Sequence, residues 1–176
     1  LILIIILIVP MFIIGFIIKI TSSGSALHWS KRVGKDLVNF SMPKFRTLRK
    51  NTPQLATHLL KDPEKYYTPI GKLLRKTSLD ELPQLWSILI GHMSFVGPRP
   101  ALYNQDDLIS LRGKNGINFL IPGLTGWAQI NGRDELSIED KVALDLIYLD
   151  KASFSFDMII LLKTFIKALK SDEVAH

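Results

Sequence analysis

Residues 1–18 carry no charged side chain and end at Lys19. About 20 apolar residues, rising about 1.5 Å each, fill a hydrocarbon layer about 30 Å thick, so this leader is long enough to enter lipid as a helix. Pro10 divides it, because proline lacks the amide donor and crowds the preceding turn, leaving two arms of about 13 Å each. A helix bent at that point enters and leaves through one membrane face, whereas a merely kinked helix spans, and the pattern allows both. The following Thr21-Ser22-Ser23-Gly24-Ser25-Ala26 reads as a polar exit loop instead of a signal-peptide cleavage site.

Past the leader the pattern breaks into short elements. Residues 28–35 set Trp29 among Lys31, Arg32 and Lys35, which suits either a membrane-water interface or a solvated basic loop. Residues 37–45 predict a short strand, followed by the cations Lys44, Arg46, Arg49 and Lys50. Helix starts are expected at Thr52-Pro53 and Thr68-Pro69, short apolar helices over 84–90 and 102–112, and a turn-rich loop over 122–126. Ser137 is placed to cap a helix running to about 149, with Glu139 and Asp140 in its first turn. Residues 154–169 predict an amphipathic helix in which Lys163 and Lys167, with Lys170 beyond, oppose a broad Ile/Leu/Phe surface, and that surface faces either a core or a membrane interface. The fold expected is α+β and predominantly helical.

Composition narrows the chemistry. A net charge of +6 fits nucleic acid, anionic headgroups or phosphorylated substrates without choosing among them. No nucleic-acid motif is found and the apolar leader argues against that partner, so none is expected. The absence of cysteine excludes thiolate nucleophiles, disulfide frameworks and Cys-based zinc sites, and none of the four histidines is spaced as a metal pair. The chain starts at Leu1 instead of Met, from which preceding sequence is expected.

One constellation stands out against this background. Asp80 and Glu81 lie between Arg75-Lys76 and Pro83, and Arg99 follows in the turn Gly97-Pro98-Arg99-Pro100. A bare carboxylate pair repels an anionic substrate, whereas carboxylates set among cations suit phosphoryl chemistry. Adjacent residues on a regular helix point about 100° apart, so both acids reach one ligand only at a terminus, which Pro83 supplies. The same residues also spell a capping box, in which Glu81 merely reaches back to the Ser78 amide. The surrounding Lys44, Arg46, Arg75 and Arg99 favour the site: one carboxylate attacks phosphorus while the other holds Mg²⁺, an ion that takes one or two carboxylates together with substrate phosphates.

The runs Pro43-Lys44-Phe45-Arg46-Thr47, Thr68-Pro69-Ile70-Gly71, Thr77 through Leu85, Val96 through Pro100 and Pro122 through Arg133, in this order, closely resemble the bacterial sugar transferases, the small monotopic polyprenyl-phosphate phosphoglycosyl transferases. The resemblance implies a re-entrant membrane helix over 1–20 broken at Pro10 and one cytoplasmic catalytic domain over 21–176 with interfacial amphipathic helices. It places the protein on the cytoplasmic face of the bacterial inner membrane. It implies transfer of a sugar 1-phosphate, of an N-acetylhexosamine type, from a UDP-sugar to undecaprenyl phosphate, with release of UMP, a covalent aspartyl-phosphosugar and Mg²⁺ as cofactor.

By the same resemblance Asp80 is the nucleophile, Glu81 the metal ligand, and Lys44, Arg46, Arg75, Arg99 and Arg133 bind substrate phosphates, with Asp145 and Asp157 as supporting acids. Membrane lipids are further partners, and the oligomeric state, a homo-oligomer included, stays open. The rival is a non-catalytic, membrane-anchored module that binds anionic lipids, in which the acidic pair only caps a helix. Three positions depart from the family pattern: Val9 before Pro10, where serine is common; Ser87, where asparagine is usual; and His92, where aspartate is usual.

Overall fold

The computed structural model describes residues 2–52, 62–132 and 135–170. The expected helix start at Thr52-Pro53 and the expected site residue Arg133 therefore fall, in whole or part, outside the described residues. Helix predominates, and the described strands form two two-stranded sheets. The described residues divide into two compact units, one of 2–29, 43–52, 62–85 and 170 and the other of 30–42, 86–132 and 135–169.

The first unit begins with α1 (Ile2–Thr21), a continuous helix that contains Pro10. Among the described residues no helix is long and apolar enough to cross a membrane. Met11, Ile14 and Ile18 recur at helical spacing and pack with Phe45, Leu74, Leu27, Ile70 and Leu82. Ile18 is fully buried, which stabilises the seat of α1 by roughly 2 kcal/mol. The rest of α1 stays bare: Ile6, Val9, Phe12, Phe16 and Ile20 are each more than half exposed.

Residues 28–35, expected as an interfacial or solvated basic loop, instead lie mostly in a strand. β1 (Leu27–Val33) pairs with β2 (Asn39–Phe45), and the hairpin is closed at its two ends by Gly34 N donating to Val38 O at 2.8 Å and Arg46 N donating to Ala26 O at 2.8 Å. Period-two alternation was hidden because β1 carries polar side chains on both faces. After residues 53–61, α2 (Gly71–Lys76) starts three residues beyond Thr68, and α3 (Gln84–Leu89) follows Pro83 as expected.

α2 is pressed against the segment after β2. Thr68 N donates to Thr47 O at 2.9 Å, and a Cβ on Gly71 would stand 2.1 Å from that same oxygen. Only a residue without a side chain allows this approach.

The second unit contains β3 (Ser94–Val96) and β4 (Gly123–Thr125), which pair in parallel with Ser94 opposite Gly123 and Val96 opposite Thr125. Residues 122–126, expected as a loop, thus hold a strand. Its three residues include a glycine and are too few to show periodicity. α4 (Asp106–Lys114) crosses between the two strands and begins later than expected, since 102–105 form a turn. After α5 (Trp127–Ile130), α6 (Ile138–Lys151) is capped as foreseen, the Ser137 hydroxyl accepting from Asp140 N at 3.0 Å.

α7 (Phe154–Lys170) seats Ile160, which is fully buried, with Val96 and Tyr148. Lys163 lies 5.0 Å from the Trp127 ring centroid. Phe154, Leu162 and Phe165 remain 60% exposed or more, so this helix also keeps an uncovered apolar side.

Gly71→Ala is expected to destabilise the fold by about 2 kcal/mol, a fall of about 4–8 °C in melting temperature, because backbone and not a flexible side chain meets the new methyl. Gly113→Ala, in open space on α4, is expected to leave the melting temperature unchanged or raise it slightly; thermal denaturation of both variants checks the contrast.

Candidate active site

Side chains alternate along β2, so anchoring Phe45 in the core turns Lys44 to the other face. There its Nζ donates to Glu81 Oε1 at 2.7 Å, with both side chains mostly buried. Thr47, in step with Phe45, is buried and accepts at Oγ1 from Arg75 Nε at 2.9 Å. The Arg75 guanidinium lies 5.6 Å from the Tyr67 ring centroid. Leu74 goes into the core and the next residue, Arg75, is thereby fixed at its edge.

Beyond α2 the chain turns sharply at Ser78, whose φ of 55° is left-handed. For a residue with a Cβ this conformation costs about 1–2 kcal/mol. Asp80 and Glu81 then share a single 3₁₀ turn, Leu79–Glu81. The capping box expected as the rival does not form. Ser78 makes no side-chain cap, its amide donates to Arg75 O at 3.1 Å, and the Glu81 carboxylate receives Lys44 instead. Neither acid rides on the first turn of α3; the 3₁₀ turn carries them before that helix starts.

Asp80 is 9% exposed. Burial pushes its carboxyl above the usual aspartate range and the Glu81 charge adds to this, while Lys44 and Arg75 pull it back. The balance leaves a carboxylate stripped of most of its water yet held among cations. An anionic oxygen in this state is a better nucleophile than a hydrated one, and the cations that surround it also suit an anionic electrophile.

Among the described residues no group of three or more His, Asp or Glu side chains could cage a metal ion. Mg²⁺ does not need such a cage, since it binds through one or two carboxylates plus substrate phosphates and water. Glu81, partly buried beside Asp80, supplies that donor type, with Lys44 as the neighbour that would share it.

Arg46, expected among the phosphate ligands, turns its guanidinium to main-chain carbonyls, donating to Ser25 O at 2.6 Å, Ser23 O at 2.7 Å and Ser22 O at 2.9 Å. In this arrangement it fixes the exit of α1 rather than presenting its donors to a ligand.

Arg99, Asp145 and Asp157 belong to the second unit. Asp145 is 1% exposed and accepts on Oδ2 from Arg112 Nε at 2.9 Å and Nη2 at 2.6 Å. Burial raises its carboxyl and Arg112 draws it down. Asp157 Oδ1 accepts from the Tyr148 hydroxyl at 2.9 Å. Both acids are thus engaged by side chains of their own unit. Of the departures from the family pattern, His92 is exposed beside Phe40, with ring centroids 5.5 Å apart. Ser87 is buried, and its hydroxyl has no hydrogen-bond partner among the described residues.

Sequence reasoning missed Thr47, Tyr67, Arg112 and Tyr148. The alternation Phe45, Thr47 was a usable signal for an inward-facing threonine. Arg112 stands 33 residues from its partner, and nothing local announces such a pair.

A sequence model described as "Bacterial sugar transferase" matches residues 1–171. The chain is 35% identical over 185 residues to the UDP-galactose-lipid carrier transferase of Erwinia amylovora, covering 96% of this chain and 38% of that protein. It is 43% identical over 135 residues to the uncharacterized sugar transferase EpsL of Bacillus subtilis, covering 77% of this chain and 65% of the relative. It is 37% identical over 163 residues to the UDP-glucose:undecaprenyl-phosphate glucose-1-phosphate transferase of Escherichia coli, covering 88% and 35% respectively. The chain therefore spans less than two thirds of the length of each of these three relatives. A match along nearly the whole chain, carrying the acidic pair and the cations gathered around it, identifies this protein as a member of the bacterial sugar transferase family.

Proposed function

We propose that this protein is a phosphoglycosyl transferase that moves a sugar 1-phosphate from a UDP-sugar to undecaprenyl phosphate. The single observation that carries the reading is the buried Asp80 beside Glu81, with Lys44 and Arg75 supplying the opposing charge. A buried acidic pair has no use in a module that only binds anionic headgroups, which would gain nothing from it. The names of the relatives, one transferring to a lipid carrier and one to undecaprenyl phosphate, support the acceptor.

In the proposed reaction an Asp80 carboxylate oxygen attacks the β-phosphorus of the UDP-sugar. A new P–O bond forms as the bond from that phosphorus to the bridging oxygen breaks, and UMP leaves with the electron pair. The acyl phosphate is then attacked at the same phosphorus by an oxygen of the polyprenyl phosphate, which restores the Asp80 carboxylate and yields the diphosphate-linked sugar. Lys44 and Arg75 offset the charge of the two approaching anions. Thr47 and Tyr67 hold Arg75 in place against that pull. When bound, Mg²⁺ would be held by Glu81 and would neutralise phosphate charge.

The bare apolar surface of α1 is the part of the first unit suited to lipid, and its residues match those of the leader expected to enter one membrane face. The uncovered apolar side of α7, with Lys163 and Lys167 on the same helix, is suited to the headgroup boundary. The site would then stand at the inner face of the bacterial cytoplasmic membrane, where a polyprenyl acceptor lives.

Three outcomes are expected in detergent with undecaprenyl phosphate, Mg²⁺ and a panel of UDP-galactose, UDP-glucose and UDP-N-acetylhexosamines. Wild-type protein releases UMP from at least one donor, Asp80→Asn lowers this by about 10³-fold or more, and Glu81→Ala raises the Mg²⁺ concentration needed. Unchanged UMP release by Asp80→Asn contradicts the nucleophile assignment. The acid limb of the wild-type rate profile is expected above the usual aspartate range, since Asp80 must be ionised to attack.

The same shift fixes the sign of a stability effect. A folded-state pKa above the ordinary 3.8 means that the folded chain binds more protons than the unfolded one between these values, so stability falls as pH rises through that window. Asp80→Asn removes the penalty and is expected to melt above wild type at neutral pH, with the gap closing at acidic pH. Equal melting temperatures at pH 7 would count against the burial argument.

A further inference from the structure

Ser78 stands where α2 ends and the acidic turn begins. The helix closes through Thr77, whose amide donates to Leu73 O at 3.0 Å and whose hydroxyl donates to the same oxygen at 2.8 Å. Ser78 follows with φ 55° and ψ 17°, in the left-handed region. A left-handed residue just past a helix end is a common stop, and glycine is its usual occupant because it has no Cβ to crowd the carbonyl. Among the described residues of the first unit, the other positive-φ positions hold Gly24 and Asp62, residue types that enter this region more readily. For ending the helix alone, glycine is the better residue at 78.

Serving in its place, serine adds one group, a hydroxyl. Serine and threonine hydroxyls in turns ordinarily bond back to nearby main chain, as Thr77 does with the Leu73 and Leu74 carbonyls. Ser78 does not. It makes no side-chain cap, and among the described residues its hydroxyl has no hydrogen-bond partner. The fold thus carries a strained backbone for a side chain that it does not itself use.

The main chain sets this hydroxyl in the same turn as the acidic pair. Ser78 N donates to Arg75 O at 3.1 Å, and Glu81 N donates to Ser78 O at 3.2 Å. The second bond closes a four-residue turn, which brings the Cα atoms of its first and last residues within about 7 Å. Asp80 lies inside that turn, and Arg75 is bonded to it from the helix side. Of the side chains at 78–81, those of Ser, Leu, Asp and Glu, only the serine hydroxyl donates when the acids are ionised.

We propose that the Ser78 hydroxyl binds the phosphorylated substrate, donating a hydrogen bond to a non-bridging oxygen of the phosphate that reacts at Asp80, and that the strain at this position is retained to present it. This rests on the phosphoglycosyl transferase reading. Every residue invoked, Lys44, Arg75, Ser78, Asp80 and Glu81, belongs to the first unit. The hydroxyl keeps its proton and stabilises charge on the phosphate oxygens as the Asp80 carboxylate approaches.

Two substitutions that both delete the hydroxyl but treat the backbone oppositely test this on the full chain in detergent. Ser78→Gly relieves the left-handed strain and is expected to melt about 2–4 °C above wild type, whereas Ser78→Ala keeps the strain and melts at or below wild type. Both are expected to lower kcat/KM for UMP release about 10–100-fold, the loss of one hydrogen bond to a charged group. Wild-type activity in either variant overturns the proposal: impairment of Ser78→Ala alone traces to strain, and impairment of Ser78→Gly alone to a loosened backbone. A Ser78→Gly protein that melts below wild type overturns it too, because glycine is then not the better residue for the turn. Absence of UMP release by wild-type protein defeats the parent reading instead. Calorimetry with inorganic pyrophosphate and Mg²⁺ then decides: weaker binding by both variants supports the hydroxyl as a phosphate donor, and equal binding, or none, by all three proteins overturns it.

Discussion

A carboxylate placed out of water beside a second carboxylate is the constraint from which the rest of the first unit follows. Asp80 is disfavoured as an anion by burial and by Glu81, and Lys44 and Arg75 return part of that cost. Each cation must be delivered from a separate element and held there. Lys44 arrives on β2 because Phe45 is locked in the core with Ile18 and Leu74, and Arg75 arrives on α2 because Gly71 lets that helix close onto Thr47. A buried ion pair such as Lys44–Glu81 is weak support for stability in general. Its retention here goes with the buried Asp80 carboxylate beside it, whose charge Lys44 helps to offset.

The second unit solves a different problem with similar means. A turn rich in proline has acceptors and few donors, so its geometry is set by side chains and strands around it. Arg112 donates to the Arg99 carbonyl, and Asp145 holds the other edge of the same guanidinium. A buried and fully satisfied polar pair of this kind rigidifies the turn that it reaches. Both units thus use ionised groups to fix geometry, in one case beside the buried Asp80 carboxylate and in the other behind the 97–100 turn.

Much of this was legible from sequence where the signal was local. The Ser137 cap, the 154–169 helix, the short helix behind Pro83 and the clustering of Lys44 and Arg75 with Asp80 and Glu81 all stand where the patterns put them. What escaped was set by partners distant in sequence. β1 gave no alternation because its pairing with β2 and not its own side chains decides its state, and β4 is too short to show a period. The capping box at Ser78–Glu81 had the right letters, but Lys44 takes Glu81 and the left-handed Ser78 turns away. Arg46 had the right charge in the right run, and the carbonyls at the end of α1 claim it. Local motifs specify which groups are available, and tertiary neighbours decide which of them pair.

The account stands most directly on the fate of the Asp80 carboxylate during turnover. Wild-type protein incubated with a reactive UDP-sugar and no acceptor, then digested and analysed by mass spectrometry, is expected to carry a phosphosugar on the peptide containing Asp80. That adduct should disappear on addition of undecaprenyl phosphate and on treatment with hydroxylamine. Product formation with no such adduct, or an adduct on another side chain, would contradict it.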